Sequence, residues 1–193
     1  MKRLFALSCG FCLVFFGLLF PAGANADVRD KKTVMTINEP VKIPGANVVL
    51  PAGTYVLKVL QTANTRNIIQ VFNDKENKVY ATVLAIPNYR LKATDNHEFA
   101  FWETPAGQAT ALRSWFYPGD TYGVEFAYPK KAATEIAHSS NQNVPTVYSD
   151  SDKPSDLTKA RIGATTPQGA EAELAKDVYS EAGGTTPSGS ANK

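Results

Sequence analysis

The sequence predicts a mainly β protein: a single antiparallel β-sandwich or small barrel, followed by a short C-terminal helix and a disordered tail. Three observations predict it. Apolar side chains recur at every second residue through much of 33–128, which is the period of a pleated strand with one buried face. Turn-forming residues interrupt that pattern at short intervals, as at Pro51-Ala52-Gly53 and Pro118-Gly119-Asp120, which is how small all-β domains are punctuated. From Ser139 onward Ser, Thr, Ala, Gly, Asn and Pro dominate and large apolar side chains are sparse, so that stretch has little to bury against its ordering entropy.

Residues 1–26 read as a cleavable secretory signal peptide. Lys2 and Arg3 precede an uncharged, largely apolar run from Leu4 to Phe20, Pro21 and Gly23 break any helix, and Ala24-Asn25-Ala26 supplies the small-x-small pattern that a signal peptidase accepts before the cut. Ala24 and Ala26 flank the expected site and Asp27 is the expected mature start. Cleavage removes both cysteines, Cys9 and Cys12, so the mature chain has no thiol for a disulfide, a nucleophile or a Cys-ligated metal. It also removes two of the 20 basic residues and leaves 18 against 18 acidic ones. A neutral mature chain carries no electrostatic footprint for nucleic acid or an anionic membrane.

The mature chain divides into a β-sandwich-like domain over 27–131 and a low-complexity, mostly disordered tail over 132–193. Strands are expected at 33–38, 41–43, 48–50, 54–60, 67–72, 78–86, 98–104, 111–117 and 122–128. Pro40 and Pro44 confine the second to an edge, because proline cannot donate to a ladder. The polar loop Asn73–Asn77 suits a hairpin. In the last strand Val124, Phe126 and Tyr128 share one face, and in 54–60 Tyr55, Leu57 and Val59 do. Pro129 sits where a helix over 130–138 would begin, a position that tolerates proline. A ten-residue helix over 170–179 would be marginal on its own.

The inventory of reactive groups is thin. Asp95, His97 and Glu98 form at most a fragment of a metal site, since no further ligand follows at a recognisable spacing. His138 falls at the junction of domain and tail. No nucleophile elbow, zinc-protease helix or phosphate-binding glycine loop is present. A carboxylate pair drawn from Glu98, Glu103, Asp120 and Glu125 would be needed for a hydrolase. The aromatic cluster is the most suggestive feature: nine aromatic residues lie within Phe99–Tyr128. Trp102, Trp115 and Tyr117 could form a ligand surface on which flat rings stack, or the cluster could be core. With a symmetric loop at 104–110 the two tryptophans face opposite ways; a one-residue bulge brings them together. Arg90, Lys92 and Arg113 read as solvated charges.

The segments Pro40–Gly45 and Leu50–Tyr55, with the later Phe101–Pro105, Trp115–Gly119 and Glu125–Pro129, resemble a group of exported bacterial β-domain proteins with a P-V-x-I-P-G / L-P-A-G-T-Y opening. The resemblance implies a β-rich envelope domain over about 32–131 and supplies no activity. The functional expectation is therefore an exported, non-catalytic β-domain of the cell envelope or extracellular space, binding or structural. A glycan or small-ligand module using 99–128 and a carboxylate hydrolase are the alternatives. No cofactor or metal is expected. The partner is unknown; an envelope glycan or protein fits, whereas nucleic acid does not, nor does a membrane after signal cleavage.

Overall fold

The computed structural model describes residues 31–45, 48–63, 66–96, 98–149 and 151–174. The expected signal segment, with Ala24, Ala26 and Asp27, lies outside them. The described chain is mainly β. Nine strands form a large sheet: β1 (Lys32–Ile37), β2 (Val41–Lys42), β3 (Val49–Leu50), β4 (Gly53–Ala63), β5 (Arg66–Asn73), β6 (Val79–Tyr89), β7 (Glu98–Trp102), β8 (Thr110–Phe116) and β9 (Tyr122–Phe126). Their order is β1-β4-β5-β6-β9-β8-β2-β3, with β7 beside β8, and the sheet does not close into a barrel. All pairings are antiparallel except β2 with β8. β7 runs along one edge of β8, which leaves the other edge shared by β9 at Ser114–Phe116 and β2 at Thr110–Ala111.

The alternation that predicts these strands also determines their buried faces. Met35 and Ile37 on β1, Tyr55, Leu57 and Val59 on β4, Ile69 and Val71 on β5, and Val124 and Phe126 on β9 join one apolar cluster. The loop Asn73–Asn77 closes the β5–β6 hairpin through the Asn73 side chain. Its Oδ1 accepts from the backbone N–H groups of Asn77 and Lys78 at 3.0 Å, an arrangement for which asparagine is favoured in turns.

Beyond β9 the structure departs from the expected tail. β10 (Tyr128–Pro129), α1 (Lys130–Ser140), β11 (Val144–Tyr148), α2 (Pro154–Leu157), β12 (Arg161–Thr165) and β13 (Glu171–Ala172) build a second, four-stranded sheet in that order. β10 and β11 are parallel and α1 is their crossover. The helix begins where proline places it and runs two residues past the expected 138. The expected helix over 170–179 is not what its described part forms, since Glu171 and Ala172 pair with Thr165 and Ala164; 175–193 lie outside the described residues. The composition argument fails over 132–174 for a physical reason. This segment builds little core of its own and inserts into one that already exists. Ala132, Ala133, Ile136 and Ala137 of α1 join the cluster of the large sheet, and small side chains let a helix approach a sheet closely. Val147, Leu157 and Ala160 cover Ile68 and Leu84, which lie on the opposite face of β5 and β6 from Ile69 and Val83.

Tyr128 and Arg66 are among the side chains that fasten the units together. The Tyr128 hydroxyl, fully buried, donates to the Leu112 carbonyl at 2.7 Å and lies 3.2 Å from the Lys42 carbonyl. Burial pushes this phenol well above its ordinary range. Arg66 on β5 donates from one guanidinium nitrogen to the carbonyls of Thr158 and Ala160, at 2.7 and 2.6 Å. Among the described residues no helix is long and apolar enough to cross a membrane.

Candidate functional site

The aromatic cluster is split by a β-bulge. On β7 and β8 Ala100 opposes Ser114 but Phe101 opposes Leu112, so Arg113 is the extra residue. Such an insertion shifts the pleat by one and re-aims the neighbouring side chains. Trp102 and Trp115 consequently both enter the main apolar cluster, at 2% and 3% exposure. Trp102, Trp115 and Tyr117 therefore do not form the open stacking platform that was one reading of the sequence. The two indoles are core, and only Tyr117 keeps part of its ring accessible. Both indole N–H groups are buried without a hydrogen-bond acceptor. Each such orphan costs about 1–3 kcal/mol.

The bulge places Arg113 in a small cleft of about 260 Å³, lined also by Glu125, Asn143, Pro145 and Glu173. Its guanidinium lies 4.2 Å from the centroid of the Trp102 ring and donates to Glu125 Oε1 at 3.1 Å and to Gln142 Oε1 at 3.1 Å. Burial pushes the Glu125 carboxyl above the ordinary carboxylate range, and the charge and hydrogen bond of Arg113 offset part of that shift. Two other carboxylates of the hydrolase alternative, Glu103 and Asp120, are placed elsewhere. Glu103 is exposed, Asp120 pairs with Lys31, and neither lines the Glu125 cleft. Glu98 begins β7. Asp95 is exposed and His97 lies outside the described residues. His138 is exposed on α1, beside a cleft shared with Glu135 and Ser139. Among the described residues no three His, Cys, Asp or Glu side chains group as metal ligands.

A second constellation was invisible in the sequence because Lys31 and Val59 lie far along the chain from the 115–124 segment that supplies its other members. Trp115, Tyr117 and Tyr122, with Val59, Gly123 and Val124, line a slot of about 20 Å³ that Lys31 enters from the start of β1. The Lys31 ammonium lies 5.1 Å from the Tyr117 ring centroid and 5.9 Å from that of Tyr122, within reach of a cation–π attraction. It also forms an ion pair and hydrogen bond with Asp120. Gly123 is required here. A Cβ at this position would lie 2.4 Å from the Phe116 ring and 2.7 Å from the Trp115 carbonyl. Arg90 holds the far side. It donates to the Asp120 carbonyl at 2.9 Å and to the Tyr117 carbonyl at 3.2 Å, and its guanidinium lies 4.9 Å from the Phe116 centroid. Arg90 and Arg113 are thus built into the structure, contrary to their reading as solvated charges.

A wider cleft, of about 780 Å³, runs between β6 and the C-terminal unit. Thr82, Leu84, Lys130, Lys131, Val147 and Ser151 are among its lining residues. No family model, curated protein or solved structure matches this chain. What the fold defines is a mainly β protein with two sheets.

Proposed function

We propose that the protein is an exported β-domain of the cell envelope or extracellular space that acts by binding rather than by catalysis. We further propose that its two sheets pack as an open sandwich. The observation that carries the binding reading is the state of the carboxylates and cations. Glu125 is engaged by Arg113, Asp120 by Lys31, and Glu76 by both Lys32 and Lys58. Groups committed to ion pairs stabilise geometry, and an acid–base catalyst needs a group poised to exchange a proton with substrate. The export half rests on the leader-like residues 1–26. The small-ligand alternative gains support from the slot at Trp115, Tyr117 and Tyr122, where rings, a cation and a carboxylate converge. Stacking of a sugar on Trp102 and Trp115 loses support through their burial.

Expression of the full chain in a bacterial host, followed by fractionation and N-terminal sequencing, tests the export half. The expected product begins at Asp27 and is recovered outside the cytoplasm. A full-length cytoplasmic product overturns it. A thermal-shift screen of the recovered protein against envelope glycans and small metabolites tests the binding half, because a ligand of the folded state raises its melting temperature by mass action. Turnover of a glycoside or ester, abolished by Glu125→Gln, would replace binding with catalysis.

A further inference from the structure

We propose that the slot formed by Trp115, Tyr117 and Tyr122 is a recognition site for a primary alkylammonium group, and that Lys31 occupies it in the unliganded protein. This deepens the binding reading given above and rests on it. The slot has the parts such a cation requires. Two tyrosine rings lie within 6 Å of the ammonium position, where their quadrupoles attract positive charge. A carboxylate, Asp120, accepts a hydrogen bond from it. A quaternary ammonium could not donate that bond, which narrows the class to amines with N–H groups. The floor is apolar, from Val59 and Val124, and fits an alkyl stem.

The walls are fixed before any ligand arrives. The Tyr117 hydroxyl donates to the Lys32 carbonyl at 3.2 Å, and Tyr122 accepts from the Asn67 amide at 3.1 Å. Arg90 holds the 117–120 turn through the two carbonyls already described. Pre-set walls lower the ordering cost of binding. The occupant, by contrast, is exchangeable. The Lys31 backbone carbonyl accepts from Val59 N–H at 3.2 Å, so the main chain stays pinned while the four-carbon side chain can swing out. The remaining space is about 20 Å³, close to what one water requires, so a ligand enters by displacing the lysine and not beside it. Trp115 lines this slot, and its indole N–H is buried without an acceptor.

The test titrates the full chain, as recovered from expression, with n-butylammonium chloride, following the indole N–H and tyrosine ring signals by NMR. N-acetyl-lysine methylamide serves as the protein-borne form of the same group, and n-butanol as the uncharged control. Lys31→Ala empties the slot. It is expected to bind butylammonium at least about tenfold more tightly than the parent protein, a difference of about 1.4 kcal/mol. Adding Asp120→Asn to that variant is expected to weaken binding again by about tenfold. Tight binding of the lysine amide as well identifies a partner's lysine as a ligand, and binding of the free amine alone identifies a small molecule. Both results support the site. A folded Lys31→Ala protein that ignores butylammonium, or binds butanol equally well, overturns it. If Lys31→Ala folds poorly, the readout becomes rescue: butylammonium, and not butanol, is expected to restore its melting temperature, and equal or absent rescue overturns the proposal. A protein retained in the cytoplasm would sink the export reading and leave this titration untouched. An exported protein with an unresponsive slot would sink only the slot.

Discussion

The β-sheet region over 32–126 and the α/β region over 128–172 are built on different principles. The first buries large side chains on strands whose alternation determines which face is inside: Met35, Leu57, Ile69, Val124 and Phe126 are all in its core. The second contributes mainly alanines and a few branched residues, and they pack into or against that same sheet. The difference teaches that a segment too poor in apolar bulk to fold alone can still be ordered when a neighbour supplies the surface. It also makes the dependence testable in both directions.

The largest effect is expected from removing the second region. A chain ending at Tyr128 would expose the part of the core that Ala132, Ala133, Ile136, Ala137 and Val144 cover. A domain of this size has a net stability of only about 5–15 kcal/mol. Loss of a cooperative thermal transition in near-UV circular dichroism is the expected result. An unchanged melting temperature would show that the second region is an appendage. Ile136→Ala is the milder form of the experiment. The side chain is 2% exposed, and its truncation is expected to cost about 2–5 kcal/mol in chemical denaturation.

Arg66→Ala attacks the fastening and leaves both cores intact. It removes the donor to the Thr158 and Ala160 carbonyls. Hydrogen bonds from a charged group contribute about 1.5–3 kcal/mol, and the loss is expected to fall on one side of the molecule. Native-state hydrogen exchange at 144–165 should accelerate while β5 and β6 stay protected. Uniform acceleration across both regions would mean that they unfold as one unit.

The two regions also differ in what could be read in the sequence. The nine strands of the large sheet lie close to their expected positions because turn residues and alternation are local signals: Pro51-Ala52-Gly53 precedes β4, and Pro118-Gly119-Asp120 separates β8 from β9. The bulge at Arg113 was not legible, since the geometry of the 103–109 loop selects the register and composition does not reveal it. The second region was not legible because its stability lies in contacts with residues up to about a hundred positions earlier, such as Arg66 with Ala160. The Lys31 slot was hidden for the same reason: Lys31 and Asp120 are 89 residues apart. The aromatic residues were visible, but their division into core indoles and a half-buried tyrosine depended on the unseen bulge.

Gly123→Ala probes the first region at its tightest point. The added methyl carbon would fall 2.4 Å from Phe116 and 2.7 Å from the Trp115 carbonyl, so the β8–β9 pairing must shift. Overpacking of this kind costs about 1–3 kcal/mol. The melting temperature should fall, with the tyrosine signals of the slot perturbed at the same time. A stability change without any change at Tyr117 and Tyr122 would show that the strand gives way elsewhere.

The smallest effect is expected at Glu125, whose pH dependence reports which of two opposing terms wins. Burial raises the pKa of its carboxyl and Arg113 lowers it, with burial the larger cause. A carboxyl with a raised folded-state pKa holds its proton more readily in the native protein than in the unfolded chain. Its favourable contribution is therefore full below the ordinary value of 4.5 and is lost as pH rises through the higher folded value. Glu125→Gln preserves an oxygen for the Arg113 hydrogen bond and removes the titration. The stability of the parent protein relative to this variant should therefore decline as pH rises above 4.5, measured by urea denaturation at each pH. A relative stability that instead grows with pH would mean that the Arg113 charge outweighs burial. The bulge would then serve mainly to deliver a cation to this carboxylate, and the Arg113–Glu125 pair would be a source of stability at neutral pH.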